Sequence, residues 1–180
     1  MHHLTHTASR DFPAPPDAVY SAILHQNTTP ADRSAFGAFL SITPVLGTLG
    51  SVGYQTLFRC NWSLVDLEMT EITLAATPPS LLRVSQRPQR FLLYKPTERL
   101  PPVGDMPPTN LEKAFASGFG SPPPTTEIQF DLRPSEIGTD LRLSIDLRMM
   151  EKPGWLKRRW AKQIPRQVPA IFANITAALG

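Results

Sequence analysis

Hydrophobic and polar positions change period several times along this chain, and each change marks an element. Residues 3–12 alternate weakly and read as an edge strand. Val19, Tyr20, Ile23 and Leu24 then recur at helical spacing, which predicts a helix over 15–26. Pro16 suits its first turn, where a missing N–H has no partner to lose. His25 suits its C-terminal end, where a cation meets the negative end of the helix dipole. A second short helix is expected around Pro30–Phe39, with Asn27, Thr28 or Thr29 as cap and Asp32 in its first turn.

Period-two signals follow. Leu40–Leu46 and Gly53–Trp62 flank a turn carrying Gly47, Gly50 and Gly53, the pattern of a hairpin. Ser63–Leu74 sets Val65, Leu67 and Met69 on one face and Asp66, Glu68 and Thr70 on the other, then slips near Glu71–Ile72, which suggests a bulge. After a Pro78-Pro79 turn, Leu81–Gln86 and Phe91–Tyr94 read as two short strands. The hairpin at 126–149 alternates most regularly. Ile128, Phe130 and Leu132, then Leu141, Leu143, Ile145, Leu147 and Met149, form a dry face, and acidic residues facing arginines hold the register on the wet one. Residues 154–179 form a long helix with Trp160, Ile164, Val168, Ile171, Phe172, Ile175 and Leu179 on one stripe. Pro165 and Pro169 lie inside it and predict a kink or a break.

Composition narrows the class. The chain has 180 residues, 41% of them hydrophobic, enough for one domain with a real core. Of its 20 prolines, eight fall within 95–124, so this stretch reads as an insertion or lid in a single domain spanning 1–180. A net charge of +3 is too weak a field to argue for nucleic acid. The single cysteine, Cys60, permits no internal disulfide, and no apolar run reaches the length of a signal peptide or membrane span. These features point to a cytoplasmic protein.

The order strand, two short helices, antiparallel strands, long C-terminal helix resembles the helix-grip superfamily, which includes START lipid-transfer domains and birch-pollen-type allergens (SRPBCC). Three segments resemble its polyketide cyclase/dehydrase branch: Ala14-Pro15-Pro16-Asp17-Ala18-Val19-Tyr20; Thr70-Glu71-Ile72 leading to Pro78-Pro79; and Phe130-Asp131-Leu132-Arg133-Pro134 followed by Gly138-Thr139-Asp140-Leu141. The resemblance implies an α+β fold in which a curved antiparallel sheet wraps a long C-terminal helix around a cavity. It implies a hydrophobic small molecule as partner (a polyketide, terpenoid or lipid). Three functions share that fold: binding or transfer, a cofactor-independent cyclase, dehydratase or isomerase, and a protein-interaction module.

Candidate site residues follow from the expected inner face. Parity with Phe58 brings Tyr54, Thr56, Cys60 and Trp62 inward, and Met69, Gln86, Phe130 and Ile145 join them from other strands. Ile164, Val168 and Phe172 face them from the last helix. Glu71 at the slip is expected to be solvated beside the bulge or paired with an arginine such as Arg83; turned inward, it would be a desolvated carboxyl suited to proton transfer. Tyr54 and Tyr94 are further catalytic candidates. His2, His3 and His6 crowd the terminus without the spacing of a metal site, and the chain carries no nucleophile elbow, phosphate loop or dinucleotide fingerprint, so neither metal nor cofactor is expected. Lys157, Arg158, Arg159, Lys162 and Arg166 form a solvated basic face, or one suited to headgroups or an anionic ligand. If residues 95–124 cover a pocket, their deletion lowers ligand affinity and leaves the thermal unfolding midpoint nearly unchanged; a collapse of the midpoint would place them in the core.

Overall fold

The computed structural model describes residues 2–26, 39–62, 65–93, 125–149 and 154–180. Among these residues, seven strands form one antiparallel sheet in the order β1-β7-β6-β5-β4-β3-β2. They are β1 (His2–Phe12), β2 (Phe39–Leu46), β3 (Gln55–Trp62), β4 (Val65–Thr77), β5 (Leu81–Leu93), β6 (Thr125–Ser135) and β7 (Gly138–Met149). Helix α1 (Pro16–Gln26) follows β1, and α2 (Gly154–Leu179) closes the chain. Residues 30–38 of the expected second helix and the whole stretch 95–124 lie outside the described residues. No helix among the described residues is long and apolar enough to cross a membrane.

The dry face of the β6–β7 hairpin is the floor of the core. Ile128, Phe130 and Leu132 alternate into it from β6, and Leu141, Leu143, Ile145 and Leu147 from β7. Leu82 and Val84 extend the floor onto β5, while Ile164, Val168, Phe172 and Ile175 of α2 form its roof together with Val19, Tyr20 and Ile23 of α1. Fully burying each large aliphatic side chain contributes about 1.5–3 kcal/mol. Phe12 meets Phe172 edge-to-face, with ring centroids 6.1 Å apart at 70°. The opposite face of the hairpin is polar. Arg148 bridges Glu127 (3.2 Å) and Asp146 (3.1 Å), and Asp146 also takes His3 Nδ1 at 2.9 Å.

Three expectations change. β5 is one strand rather than two. It passes through Pro88, which lies beyond Gln86, the last residue paired with β6 among the described residues, so the missing N–H interrupts no described ladder on that side. α2 runs unbroken through Pro165 and Pro169, both of which are exposed. Four residues apart, they share the solvent face, where water can take the carbonyls that lose helical partners. The irregularities of β4 fall in its pairing with β5, between Glu68 and Met69 and between Thr73 and Ala75, rather than at Glu71–Ile72.

The Pro-rich corner after β1 is fastened to the β6–β7 turn. Thr139 is fully buried, and its Oγ1 donates to the Ala14 carbonyl at 2.7 Å. Gly138 has φ +145, and a Cβ there would collide with the Phe12 carbonyl and the Ala14 backbone. Gly53 has φ +84 with open space around it. Gly138→Ala is therefore expected to cost about 2–4 kcal/mol, adding the collision to the backbone strain, against about 1 kcal/mol for Gly53→Ala. Denaturant unfolding of the two variants checks this; equal losses would show that the corner yields.

Candidate functional site

Strand pairing carries an inward-facing position from one strand to its neighbour, so a row of aligned residues crosses the sheet on one face. Most inner rows are apolar: Leu82, Phe130 and Leu143 make one, and Val84, Ile128 and Ile145 the next. The following row is not. Thr56 pairs with Glu71, Glu71 with Gln86, and Gln86 with Thr126, so four adjacent strands place four polar side chains side by side. Thr126 pairs in turn with Leu147. Beyond the row the face is apolar again at Phe58 and Met69, which pair with each other.

All four residues of the row are buried: Thr56 is 2% exposed, Gln86 4%, Glu71 5% and Thr126 6%. Gln86 Nε2 donates to Glu71 Oε2 at 2.6 Å, a short charge-assisted bond. The Glu71 carboxylate accepts only, so the amide turns its nitrogen toward it and its oxygen away. That oxygen, Gln86 Oε1, is buried with no hydrogen-bond partner. A buried unmet acceptor costs roughly 1–3 kcal/mol.

Tyr54 lies one inner position from Thr56 and is buried. Its backbone is held to β4 by Thr73 N–H donating to the Tyr54 carbonyl and Gly53 N–H to the Thr73 carbonyl, both at 2.9 Å. Burial raises the Tyr54 phenol above its ordinary value of 10.0, and the nearby charge of Glu71 raises it further. The phenol is thus kept neutral, as a hydrogen-bond donor. Tyr20, in the core between α1 and α2, is also raised by burial, and its hydroxyl has no partner.

Glu71 is buried on the inner face rather than solvated beside a bulge. It shares parity with Met69 and Thr73, both buried, and the apparent slip in the sequence arises because the inner face itself turns polar at 71 and 73. Its cross-strand partner is Gln86; Arg83 pairs instead with Ala75 and faces the other side of the sheet. Thr56, Phe58, Met69 and Gln86 are buried on the inner face, and Phe130, Ile145, Ile164, Val168 and Phe172 belong to the main core cluster. Cys60 and Trp62 lie on β3, with side chains outside the described set, and Tyr94 lies outside the described residues altogether.

Sequence reasoning missed Thr126 and Thr73 as members of this patch. Their parity with Ile128 and Met69 was the available signal. It also missed a second buried pair, Arg59 and Glu68, cross-strand partners on the opposite face with Nη2 and Oε2 3.8 Å apart. Among the described residues, no group of three or more His, Cys, Asp or Glu is placed to hold a metal ion.

No family model and no curated protein sequence matches the chain. Solved structures do. Ara h 8.0201 is 12% identical with a TM-score of 0.62, over 99% of this chain and 98% of that one. The Mll3558 protein from Rhizobium loti is 17% identical (TM-score 0.60, 98% and 97% covered), and CV1439 from Chromobacterium violaceum 15% (0.57, 97% and 96%). The fold is the helix-grip fold of the birch-pollen-allergen-like proteins.

The Glu71 charge should be legible at Tyr54. Glu71→Gln is expected to bring one phenol titration down toward 10.0 without reaching it, because burial, the larger cause, remains. A phenol raised in the folded state lends stability that is complete below pH 10 and is lost as pH climbs through the folded value. Tyr54→Phe should accordingly remove part of the alkaline loss of stability. Ultraviolet titration of phenolate and unfolding across pH 9–12 measure the two effects; an unmoved phenol in Glu71→Gln would contradict the coupling.

Proposed function

We propose that this protein binds a largely apolar small molecule between the inner sheet face and α2, and that the row Thr56–Glu71–Gln86–Thr126 orients it. The observation that carries the reading is a buried polar row set between apolar rows. A core needed only for stability would be apolar there, since burying a carboxylate and an amide costs free energy that a close-packed Leu or Met would not. Binding sites for small molecules combine this composition: mostly apolar walls that contribute about 25 cal/mol per Å² buried, and a few converging polar groups that set orientation. The helix-grip fold supports the reading at the level of architecture.

A second reading of the same site is a cofactor-independent cyclase, dehydratase or isomerase. It is favoured by the inward carboxylate of Glu71 beside the neutral phenol of Tyr54, a proton acceptor next to a hydrogen-bond donor. In that case Glu71→Gln would retain binding and lose turnover.

Native mass spectrometry of the protein purified from its own source is expected to show a ligand mass that disappears on denaturation. N-phenyl-1-naphthylamine, a neutral apolar fluorophore, is expected to bind saturably at one per chain with a blue-shifted emission. A bare chain mass together with non-saturable dye uptake would contradict the proposal.

A further inference from the structure

The orphaned oxygen of Gln86 specifies more than an apolar ligand. Its neighbour in the row, Glu71, holds the amide nitrogen at 2.6 Å, so the amide cannot rotate to present a donor without bringing its oxygen against a carboxylate. What Gln86 offers inward is therefore an acceptor, 4% exposed and unpartnered. The carboxylate beside it is also an acceptor. Two acceptors set next to each other favour a ligand group that donates and disfavour one that is itself negative.

The distribution of cations agrees. Arg59, Arg83, Arg87, Arg142 and Arg148 all alternate onto the opposite face from the row, by parity with inward Phe58, Leu82, Val84, Gln86, Leu141 and Leu147. Among the described residues the inner face of the sheet carries one arginine, Arg10, exposed at the far end of β1 and lying over the Phe12 ring at 5.3 Å. A carboxylate or phosphate head would thus meet Glu71 with no described inner-face cation on β3, β4, β5 or β6 to offset the repulsion.

Resting on the reading of this face as a binding site, we propose that the row is the head-group subsite for an apolar ligand bearing a hydroxyl or phenol, which donates its hydrogen bond to Gln86 Oε1. The acceptor is closed to solvent, so the head group reaches it by parting the packing over the row. The bond then satisfies an atom that the unliganded fold leaves unmet.

The test is a competition series against N-phenyl-1-naphthylamine on the full chain, with three probes of one tail: 4-octylphenol, its methyl ether 4-octylanisole, and 4-octylbenzoate. The phenol is expected to bind about tenfold more tightly than the ether, the value of one hydrogen bond to a buried acceptor, and more tightly than the benzoate. Gln86→Met, which removes the acceptor at similar volume, should bring phenol and ether to equal affinity, with binding of each read directly by calorimetry in that variant. Equal affinities in the unaltered protein, or a preference for the benzoate, would overturn the donor-head assignment and leave the container standing. A phenol preference that survives in Gln86→Met would overturn the role of Gln86. Failure of the dye and all three probes to bind would overturn the container as well.

Discussion

The structure depends on one constraint, the antiparallel register that carries a side chain's facing from strand to strand across the sheet. Because successive residues point to opposite faces, a one-residue slip in any strand would turn its whole apolar set to solvent. Leu82 and Val84 of β5, or Leu141, Leu143, Ile145 and Leu147 of β7, cannot stay inside unless the register holds. The same register holds Glu71 and Gln86 inside. Their burial is imposed by the apolar neighbours on their own strands, not by any preference of their own. The irregularities in the β4–β5 pairing lie on either side of Glu71, which keeps it aligned with Gln86.

The two ends of the inner face therefore do different work. At one end the Pro-rich corner, Gly138 and Thr139 lock β1 to the β6–β7 turn with a buried hydroxyl bond and an approach that no Cβ would survive. The polar row crosses the sheet about eight residues further along β7, roughly 26 Å at the rise of an extended strand, with the apolar core between them. The end closed by the corner can hold the fold while the other presents an unmet acceptor to the inner face. Proteins commonly place such locally unfavourable groups where they bind, and offset them elsewhere.

Most of this architecture was readable from periodicity. The 126–149 hairpin and the α2 stripe announced themselves because one face of each is almost purely aliphatic. The site was harder to read for the opposite reason. Period-two reasoning looks for apolar residues inside, so a polar row on the inner face registers as a slip, and Glu71–Ile72 read as a bulge. Thr126 was hidden by chemistry in the same way, although its parity with Ile128 was plain. Pro165 and Pro169 misled through a local rule that assumes every backbone donor is needed; a solvent-facing helix side relaxes that assumption. The Glu71–Gln86 bond joins residues fifteen apart through a register that only the folded sheet supplies.

The central claim is that the polar row exists to hold a ligand rather than to hold the fold. Its most direct test is the unfolding free energy of the double variant Glu71→Met/Gln86→Met, which fills similar volume without a carboxylate or an orphaned acceptor. The account predicts stability equal to or above that of the parent protein, because a buried polar pair with an unmet acceptor is replaced by apolar packing. A loss of more than about 2 kcal/mol would contradict it, and would make the row a structural network on which the sheet itself depends.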